Sequence, residues 1–465
     1  MSNAEELAAR QTRDFIDGYH EHYNALFYSK KHIQAMRNER LRALLLHAKS
    51  NSPWYKKKLA HINIKHFTEE RLQELPVLNK TTLMEHWDAI VTDKRLTLKL
   101  VETHIRKMAH DGDTLHLLNE YHVLSTSGSS GTRGIYIYNW DEWNKFTTYT
   151  ARYKYYNQDR SALLLDGTKI RTTAMIVVSN TVYGVYSVAK SYTFNHLKNF
   201  YFPITLPMDQ IISGLNEVQA DVLSGIPSTI QKLCKEAQKG RLTIQPKVIS
   251  VGAEPLYKPI RALIKKTWPN SALFNRYGSS EGLFGRNCHA DSSEMHLNDD
   301  ACIVELIDKW NNPLGKGVLS NKIYLTNLYN YTLPLIRYEL NDQLMFLDKT
   351  CPCGIEHQLI AEPEGRPEYD FTYSNTIFIH HLVFVTPLLH EKNIQEYQVI
   401  QTKYGADIKI VSTGFVDKPR LQNTICTHLY KLGLLQPIIN IIEVANIDRP
   451  ESGKIRRFLR INDVI

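Results

Sequence analysis

Between residues 220 and 290 strand and helix signals alternate, and no other feature of this chain limits its fold as much. "DVLSG" is a short apolar strand. "PSTIQKLCKEAQKG" follows it, with Ile230, Leu233 and Cys234 on one helical face and Gly240 as the stop. "KVISVG" is a second strand, and "PLYKPIRALIKKTW" a helix with Ile260, Leu263 and Ile264 on one side. "ALFNRYG" is a third strand. Strands spaced by helices predict an α/β fold, with a parallel sheet under helical cover. Each strand runs out into small or polar residues: Gly225-Ile226-Pro227-Ser228, Gly252-Ala253-Glu254, and Tyr277-Gly278-Ser279-Ser280-Glu281. Ligands of open parallel sheets bind beyond the carboxyl ends of the strands. Three such ends in succession therefore predict one shared crevice.

At 465 residues the chain exceeds what one hydrophobic core usually serves, so two domains are expected. The first hundred residues look helical, broken at "SNSPWYKKKL" by Pro53. "NWDEWNKFTTYTARYKYY" has helical spacing through Trp143, Phe146 and Tyr149 to Tyr153. After about residue 365 the pattern changes to strand, strand, helix and strand: "YQVIQTKY" and "DIKIVST" around Gly405, then "DKPRLQNTICTHLYKLG", then "PIINIIEV". This predicts a large N-terminal domain over 1–365 and a small α+β domain over 366–465. The small domain ends in "DRPESGKIRRFLR".

Composition is that of a globular protein, 43% hydrophobic and 22% charged. No apolar run is long enough to cross a membrane, and the polar N-terminus lacks the apolar centre of a signal peptide. A cytoplasmic location is the expectation. The net charge of +8 is spread without a dense basic run, which argues against a nucleic-acid groove and leaves room for an anionic ligand such as a nucleotide. Six cysteines in a chain this long do not form a secreted disulfide framework. Cys234, Cys302 and Cys426 stand alone and read as core thiols.

"LSTSGSSGTRGIYIY" (residues 124–138) places a run of glycines and hydroxyl residues between two strand-like segments. Residues without large side chains let backbone N–H groups approach an anion, and hydroxyls add donors. Glycine also permits the positive φ that concave turns need. No Gly-Lys-Ser/Thr follows, so this is not a Walker loop, and the dinucleotide fingerprint is absent too.

"STSGSSGTRG" resembles the phosphate loop of the adenylate-forming (ANL) superfamily, T-S-G-[ST]-[ST]-G-x-P-K-G. "YGSSE" resembles its Y-G-x-[ST]-E, "YELNDQ" stands where Y-R-T-G-D is expected, "GRPEYDF" where G-R-x-D-D lies, and "ESGKIRR" resembles the terminal S-G-K-x-x-R. All five occur in the family's order and cover nearly the whole chain. Within the superfamily, "NSPWYKKKL", "LPVLNK", "PLIRYELND" and "CPCG" resemble the phenylacetate–coenzyme A ligase and CapK-like branch. Departures are Arg133 where proline is usual, a missing loop lysine, Glu339 for arginine and Asn341 for glycine.

The resemblance implies an AMP-forming acid–thiol ligase with ATP, Mg²⁺ and coenzyme A, or a carrier-protein phosphopantetheine, as cofactors. Thr126, Ser127, Gly128, Ser129, Ser130 and Gly131 would hold the phosphates. Gly252, Ala253, Glu254, Tyr277, Gly278, Ser279 and Ser280 would border the adenine and its linkage. Asp342 would accept from the ribose hydroxyls, and Arg366 would contact ribose or phosphate. Glu281 would bind Mg²⁺, which prefers hard oxygen ligands. Lys454 would neutralise charge as the carboxylate attacks, and the small domain would rotate about a hinge at Glu368. Partners would be a small carboxylic acid and coenzyme A or a carrier protein. An aromatic acid fits the tyrosine-rich segment around 140–200, and the branch often forms homodimers. The other readings are transfer to a carrier-protein thiol or an amine, and a nucleotide sensor or scaffold without turnover. Glu281 and Lys454 together argue against the last, since a mere binder has no need of the lysine.

Cys288, His296, Cys351 and Cys353 form a Cys-x7-His…Cys-x-Cys set suited to structural zinc, with His289 as the alternative nitrogen ligand.

Overall fold

The computed structural model of this chain describes residues 3–111, 115–126, 133–152, 171–177, 188, 190–194, 196–363, 365–366, 369–373, 377–449 and 455–461. The helical opening holds: α1 (Asn3–Asn24), α2 (Lys30–Asn51), α3 (Pro53–Lys58), α4 (Lys80–Glu85), α5 (Trp87–Ile90) and α6 (Leu98–Asp111). Ser52 closes α2 and opens α3, its hydroxyl accepting from Tyr55 N, while Pro53 takes the first helical position. Proline suits that position because its missing N–H would have no helical partner there.

A three-stranded antiparallel sheet follows: β1 (His116–Leu117), β2 (Tyr121–Ser125) and β3 (Ile135–Asn139). It leads directly into α7 (Trp140–Ala151), whose start is fixed by a capping box between Asn139 and Glu142.

The central sheet has eight strands. Its members in chain order are β4 (Arg171–Val177), β5 (Leu197–Pro203), β6 (Val222–Gly225), β7 (Val248–Gly252), β8 (Ala272–Gly278), β9 (Phe284–Arg286), β10 (Glu294–Leu297) and, after three strands of another sheet, β14 (Leu359–Ala361). The intervening three are β11 (Cys302–Ile307), β12 (Lys322–Asn327) and β13 (Tyr338–Leu340). The spatial order is β14-β10-β9-β8-β7-β6-β4-β5, parallel from β5 to β8 and antiparallel beyond. The expected strands 222–225, 248–252 and 272–278 are its centre. The crossovers are α8 (Met208–Val218), α9 (Pro227–Gln238) and α10 (Lys258–Thr267).

Register separates the two faces of this sheet. Ala174, Leu223, Ile249 and Leu273 align on one face, and Met175, Ser224, Ser250 and Phe274 on the other. The first face is fully buried in a core that it shares with α8, α9 and α10. The second face carries serines where a parallel sheet normally carries Val, Ile or Leu.

The C-terminal elements are β15 (Phe371–Tyr373), β16 (Ile377–Ile379), α11 (Leu382–His390), β17 (Ile394–Thr402), β18 (Gly405–Ser412), α12 (Lys418–Lys431), β19 (Ile438–Glu443) and β20 (Phe458–Leu459). Four of them form a mixed sheet in the order β19-β18-β17-β20. This is the strand, strand, helix, strand pattern that the sequence predicts, with β20 added from the terminal segment. Residues of this part, among them Phe371, Phe384 and Tyr397, join the same core as α8 to α10. A separate core lies under the N-terminal helices and runs through β2, β3, α7 and β11 to β13.

Cys234 and Cys302 are fully buried, as expected of core thiols, and Cys426 is half-buried. Among the described residues no helix is long and apolar enough to cross a membrane.

The N-terminal core also buries histidines. His122 stacks on Trp143 with centroids 4.3 Å apart and meets His116 edge-on at 4.4 Å. Burial holds His116 and His22 down to about 4, and His122 well below the ordinary imidazole value. A base whose pKa is lower folded than unfolded takes up its proton more readily in the unfolded chain. Its contribution is therefore intact above about pH 6.5 and is lost as pH falls toward 4. Unfolding free energies from urea titrations between pH 7.5 and 5 should fall steadily, by roughly 2 kcal/mol or more in total. The slope should flatten in His122→Phe.

Candidate active site

Of the three strand ends, those of β6 and β7 border a narrow cleft through Ile226, Ser228 and Glu254, and the end of β8 contacts the segments around 342 and 366. Tyr277, the next-to-last residue of β8, donates its hydroxyl to Asp342 Oδ2 at 2.7 Å. Arg366 Nε donates to the other oxygen, Oδ1, at 2.7 Å. Burial, and then the neighbouring Asp342, push the Tyr277 phenol well above its ordinary value, so it stays protonated and keeps donating. Residues 277, 342 and 366 are thus joined through one buried carboxylate.

Asp342 is positioned by contacts that the sequence does not disclose. It follows β13, whose Glu339 N donates to Leu78 O at 2.8 Å, while Leu78 N donates to Arg337 O at 3.2 Å. The Tyr55 hydroxyl donates to Pro334 O at 2.9 Å. The stretches "NSPWYKKKL", "LPVLNK" and "PLIRYELND", far apart in sequence, therefore meet in one junction that aims Asp342.

Glu281 is buried. Its Oε1 accepts from the Tyr136 hydroxyl at 2.6 Å, and Tyr136 in turn shares a 2.9 Å hydrogen bond with Tyr338. Tyr138, two residues along β3, donates to Ser280 O at 2.6 Å. The hairpin that carries the glycine-hydroxyl loop is thereby clamped onto the "YGSSE" turn. Gly282 has φ +95°, and an added Cβ would lie 2.3 Å from the Tyr329 hydroxyl and 2.5 Å from Asn327 Nδ2. No other residue fits there. Ser279 Oγ is buried without a hydrogen-bond partner, an orphaned donor at the site. The tyrosines and Asn327 contact this turn from other elements, which motif spacing does not reveal.

At the end of β7, Ala253 takes φ +64°, a region costly for a residue with a Cβ. Glu254 Oε2 accepts from Ser228 N at 3.2 Å and lies 3.9 Å from Arg457 Nη2. Ile455 and Arg457 line a narrow cleft with Glu254 and Ser228. The terminal segment thus runs beside the crevice. Lys454, Ser127, Gly128, Ser129, Ser130, Gly131 and Glu368 lie outside the described residues. Thr126 is described: it closes the hairpin base through Thr126 N to Gly134 O and Gly134 N to Thr126 Oγ1, both 2.9 Å. Arg133 reaches back to Ser125 Oγ at 2.8 Å.

The cysteines also converge. Cys288 Sγ and Cys351 Sγ are 3.4 Å apart, and Cys353 Sγ is 3.3 Å from His296 Nε2. Ligand atoms of Cys288, His289, Cys351 and Cys353 all lie within 4.8 Å of one another. A tetrahedral zinc with bonds of about 2.0–2.3 Å needs ligand atoms roughly 3.5–3.8 Å apart, and the Cys288–Cys351 separation of 3.4 Å is close to that. His289, the alternative in the sequence, is the histidine that completes the four-atom group. His296 contacts Cys353 while its Nδ1 faces His357 O at 3.0 Å.

No family model matches the chain, and no curated protein matches it. Solved structures do. A 2-hydroxyisobutyryl-CoA ligase in its postadenylation state, in complex with R3-HIB-AMP, superposes with a TM-score of 0.68 at 16% identity, covering 94% of this chain and 91% of that one. The same ligase in complex with 2-HIB-AMP and CoA in its thioesterification state gives 0.55 at 16% identity over 93% and 91%. ATP-bound MatB from Rhodopseudomonas palustris gives 0.51 at 14% identity over 72% of this chain and 66% of that chain. These likenesses show the fold: a large multi-sheet α/β unit of the kind found in adenylate-forming enzymes, followed by a small C-terminal α+β part.

Proposed function

We propose that this chain is an ATP-dependent ligase that activates a carboxylic acid as an acyl adenylate and passes the acyl group to a thiol, coenzyme A. One observation carries the reading. Segments 277–281, 342, 366 and 455–457 converge at the carboxyl ends of β7 and β8, in a fold that superposes on an acyl-CoA ligase over 94% of the chain.

In the first half-reaction a carboxylate oxygen attacks the α-phosphorus of ATP. A new O–P bond forms, the bond to the β-phosphate bridge breaks, and pyrophosphate leaves. The attacking carboxylate is already ionised at neutral pH and needs no general base. It needs alignment and charge compensation. Asp342 would accept the ribose hydroxyls, with Tyr277 and Arg366 fixing its orientation. Gly252, Ala253 and Tyr277 would border the adenine. Thr126 to Gly131 would cradle the outer phosphates, and the orphaned Ser279 hydroxyl would donate to the ligand. Glu281 offers the hard oxygen that Mg²⁺ prefers, and the ion would neutralise the phosphates when bound. Lys454 would compensate charge between acid and α-phosphate. In the second half-reaction the thiol sulfur attacks the acyl carbon, AMP departs with the bonding pair, and the thiol proton goes to solvent. For this step the domain beyond residue 365 would turn about Glu368 and withdraw Lys454.

The reading extends to Cys288, His289, Cys351 and Cys353 as a structural zinc site. The four donors leave no open position, so the metal would brace the fold and take no part in the reaction.

Lys454→Ala should slow acid-dependent pyrophosphate release by about 10²–10³ and leave the melting temperature unchanged, since it removes one preorganised cation. Unchanged release would refute its role. Release measured with and without coenzyme A separates transfer to this thiol from transfer elsewhere. Metal analysis should return one zinc per chain, and a chelator should lower the melting temperature of the native protein but not that of Cys351→Ser.

A further inference from the structure

The end of β8 presents two side chains to opposite faces of the sheet. Tyr277 turns to Asp342, whereas Arg276 lies on the face of Ser224, Ser250 and Phe274. That face is polar although it is buried, which is abnormal for a parallel sheet. Arg276 Nη2 donates to Ser224 Oγ at 3.1 Å, two strands away. Strands are about 4.8 Å apart, so the side chain must lie across β7. The residue of β7 in register with it is Gly252, where a Cβ would sit 2.8 Å from Arg276 O and 3.2 Å from Arg276 Cβ. The glycine keeps the space beside the arginine open.

The guanidinium is incompletely satisfied. Arg276 Nε is buried with no hydrogen-bond partner, and no carboxylate among the described residues lies within ion-pair distance. Its cross-strand neighbour on β9 is another arginine, Arg286, whose guanidinium lies 5.2 Å over the Phe274 ring. Like charges directly opposite each other are unfavourable, and an uncompensated buried charge more so. Burial shifts the Arg276 pKa downward. Among the described residues, then, this face carries two arginines and no compensating carboxylate, an arrangement that suits an anionic ligand.

We propose that Arg276 holds a second carboxylate on the acid being activated, so that the substrates are dicarboxylic acids; this rests on the ligase reading above. The reacting carboxylate is a poorer match. An arginine gripping it would draw off the charge needed for attack, and would lose its partner once the acyl phosphate forms. A remote carboxylate stays paired through both half-reactions, and the planar fork suits it.

The test compares glutarate with valerate, and isophthalate with benzoate, in pyrophosphate release. It uses the wild-type chain, Arg276→Met and Arg276→Lys. The wild type should favour each diacid by at least about 30-fold in kcat/KM, the range expected for a desolvated charge pair. Arg276→Met should abolish that preference while changing the monoacids less than about 3-fold, with Arg276→Lys between. Its melting temperature without ligand should be unchanged or higher, because an unpaired buried charge is removed. Calorimetric binding of glutarate and isophthalate to the same proteins is a readout independent of adenylation. If no acid releases pyrophosphate, the ligase reading falls, yet diacid binding lost in Arg276→Met still upholds the anion site. Equal use and equal binding of mono- and diacids by the wild type would overturn the proposal. So would a uniform loss for all acids, or a large fall in melting temperature, in Arg276→Met.

Discussion

The register of β6, β7 and β8 is the constraint on which the site depends. Side chains alternate along a strand, so a slip of one residue moves every side chain to the other face. Here Leu223, Ile249 and Leu273 lie side by side under α8, α9 and α10 and are fully buried. Withdrawing three such side chains from water is worth roughly 1.5–3 kcal/mol each. A slipped register would forfeit that burial, so packing of the apolar face fixes the polar one. It also determines that Tyr277 faces Asp342 and Arg276 does not. Chemistry at the strand ends is therefore specified by hydrophobic residues several positions earlier.

The remaining groups come from distant segments, and each is held by polar contacts rather than by its own element. β3 brings Tyr136 and Tyr138 against the 280–281 turn. The junction of Tyr55, Leu78 and Pro334 sets β13 and hence Asp342. The C-terminal part is joined to α9 and the β7 end by ion pairs: Lys232 and Arg449 on Glu396, and Arg457 near Glu254. Exposed or partly exposed pairs of this kind contribute little each. They suit the domain rotation proposed above, in which this contact would hold in one arrangement and release in another.

Much of this is legible in the sequence, for identifiable reasons. The strands and helices from 222 to 278 can be read because their apolar periods are clean and their breaks carry Gly and Pro. The C-terminal strand, strand, helix, strand order can be read for the same reason. Tyr277, Glu281, Asp342 and Arg366 are found because motif spacing marks them. The β4 strand "RTTAMIV" escapes, since its polar start hides a segment whose place is settled only by pairing with β5 and β6. Pro53 reads as a break, yet it opens α3, because a proline that stops one helix is equally suited to start the next. Both His289 and His296 lie near the cysteines, His289 within their group and His296 against Cys353, a juxtaposition that ligand spacing does not encode. Arg276 escapes for the plainest reason: in "FNRYG" it is one more charged residue, and only register reveals that its face is buried.

Buried polar groups in this chain differ in how far the described residues satisfy them, and orphaned atoms occur in the scaffold as well, at Thr147 Oγ1 and Tyr397 Oη among others. Glu142 is fully buried, and burial raises it to about 6, yet it accepts from Asn139 N at 2.8 Å, Tyr331 N at 2.7 Å and Thr332 N at 2.9 Å. Such a carboxylate is complete and ties α7 to the 331–332 turn. Ser279 Oγ and Arg276 Nε, both at the end of β8, have no partner among the described residues. Leaving a buried donor unsatisfied costs about 1–3 kcal/mol, and more when it is charged. A fold that satisfies Glu142 with three backbone donors has the means to satisfy a serine and an arginine. Both lie at one strand end, next to the Tyr277–Asp342 contact, and there the proposed ligand would supply the partners that the described residues do not.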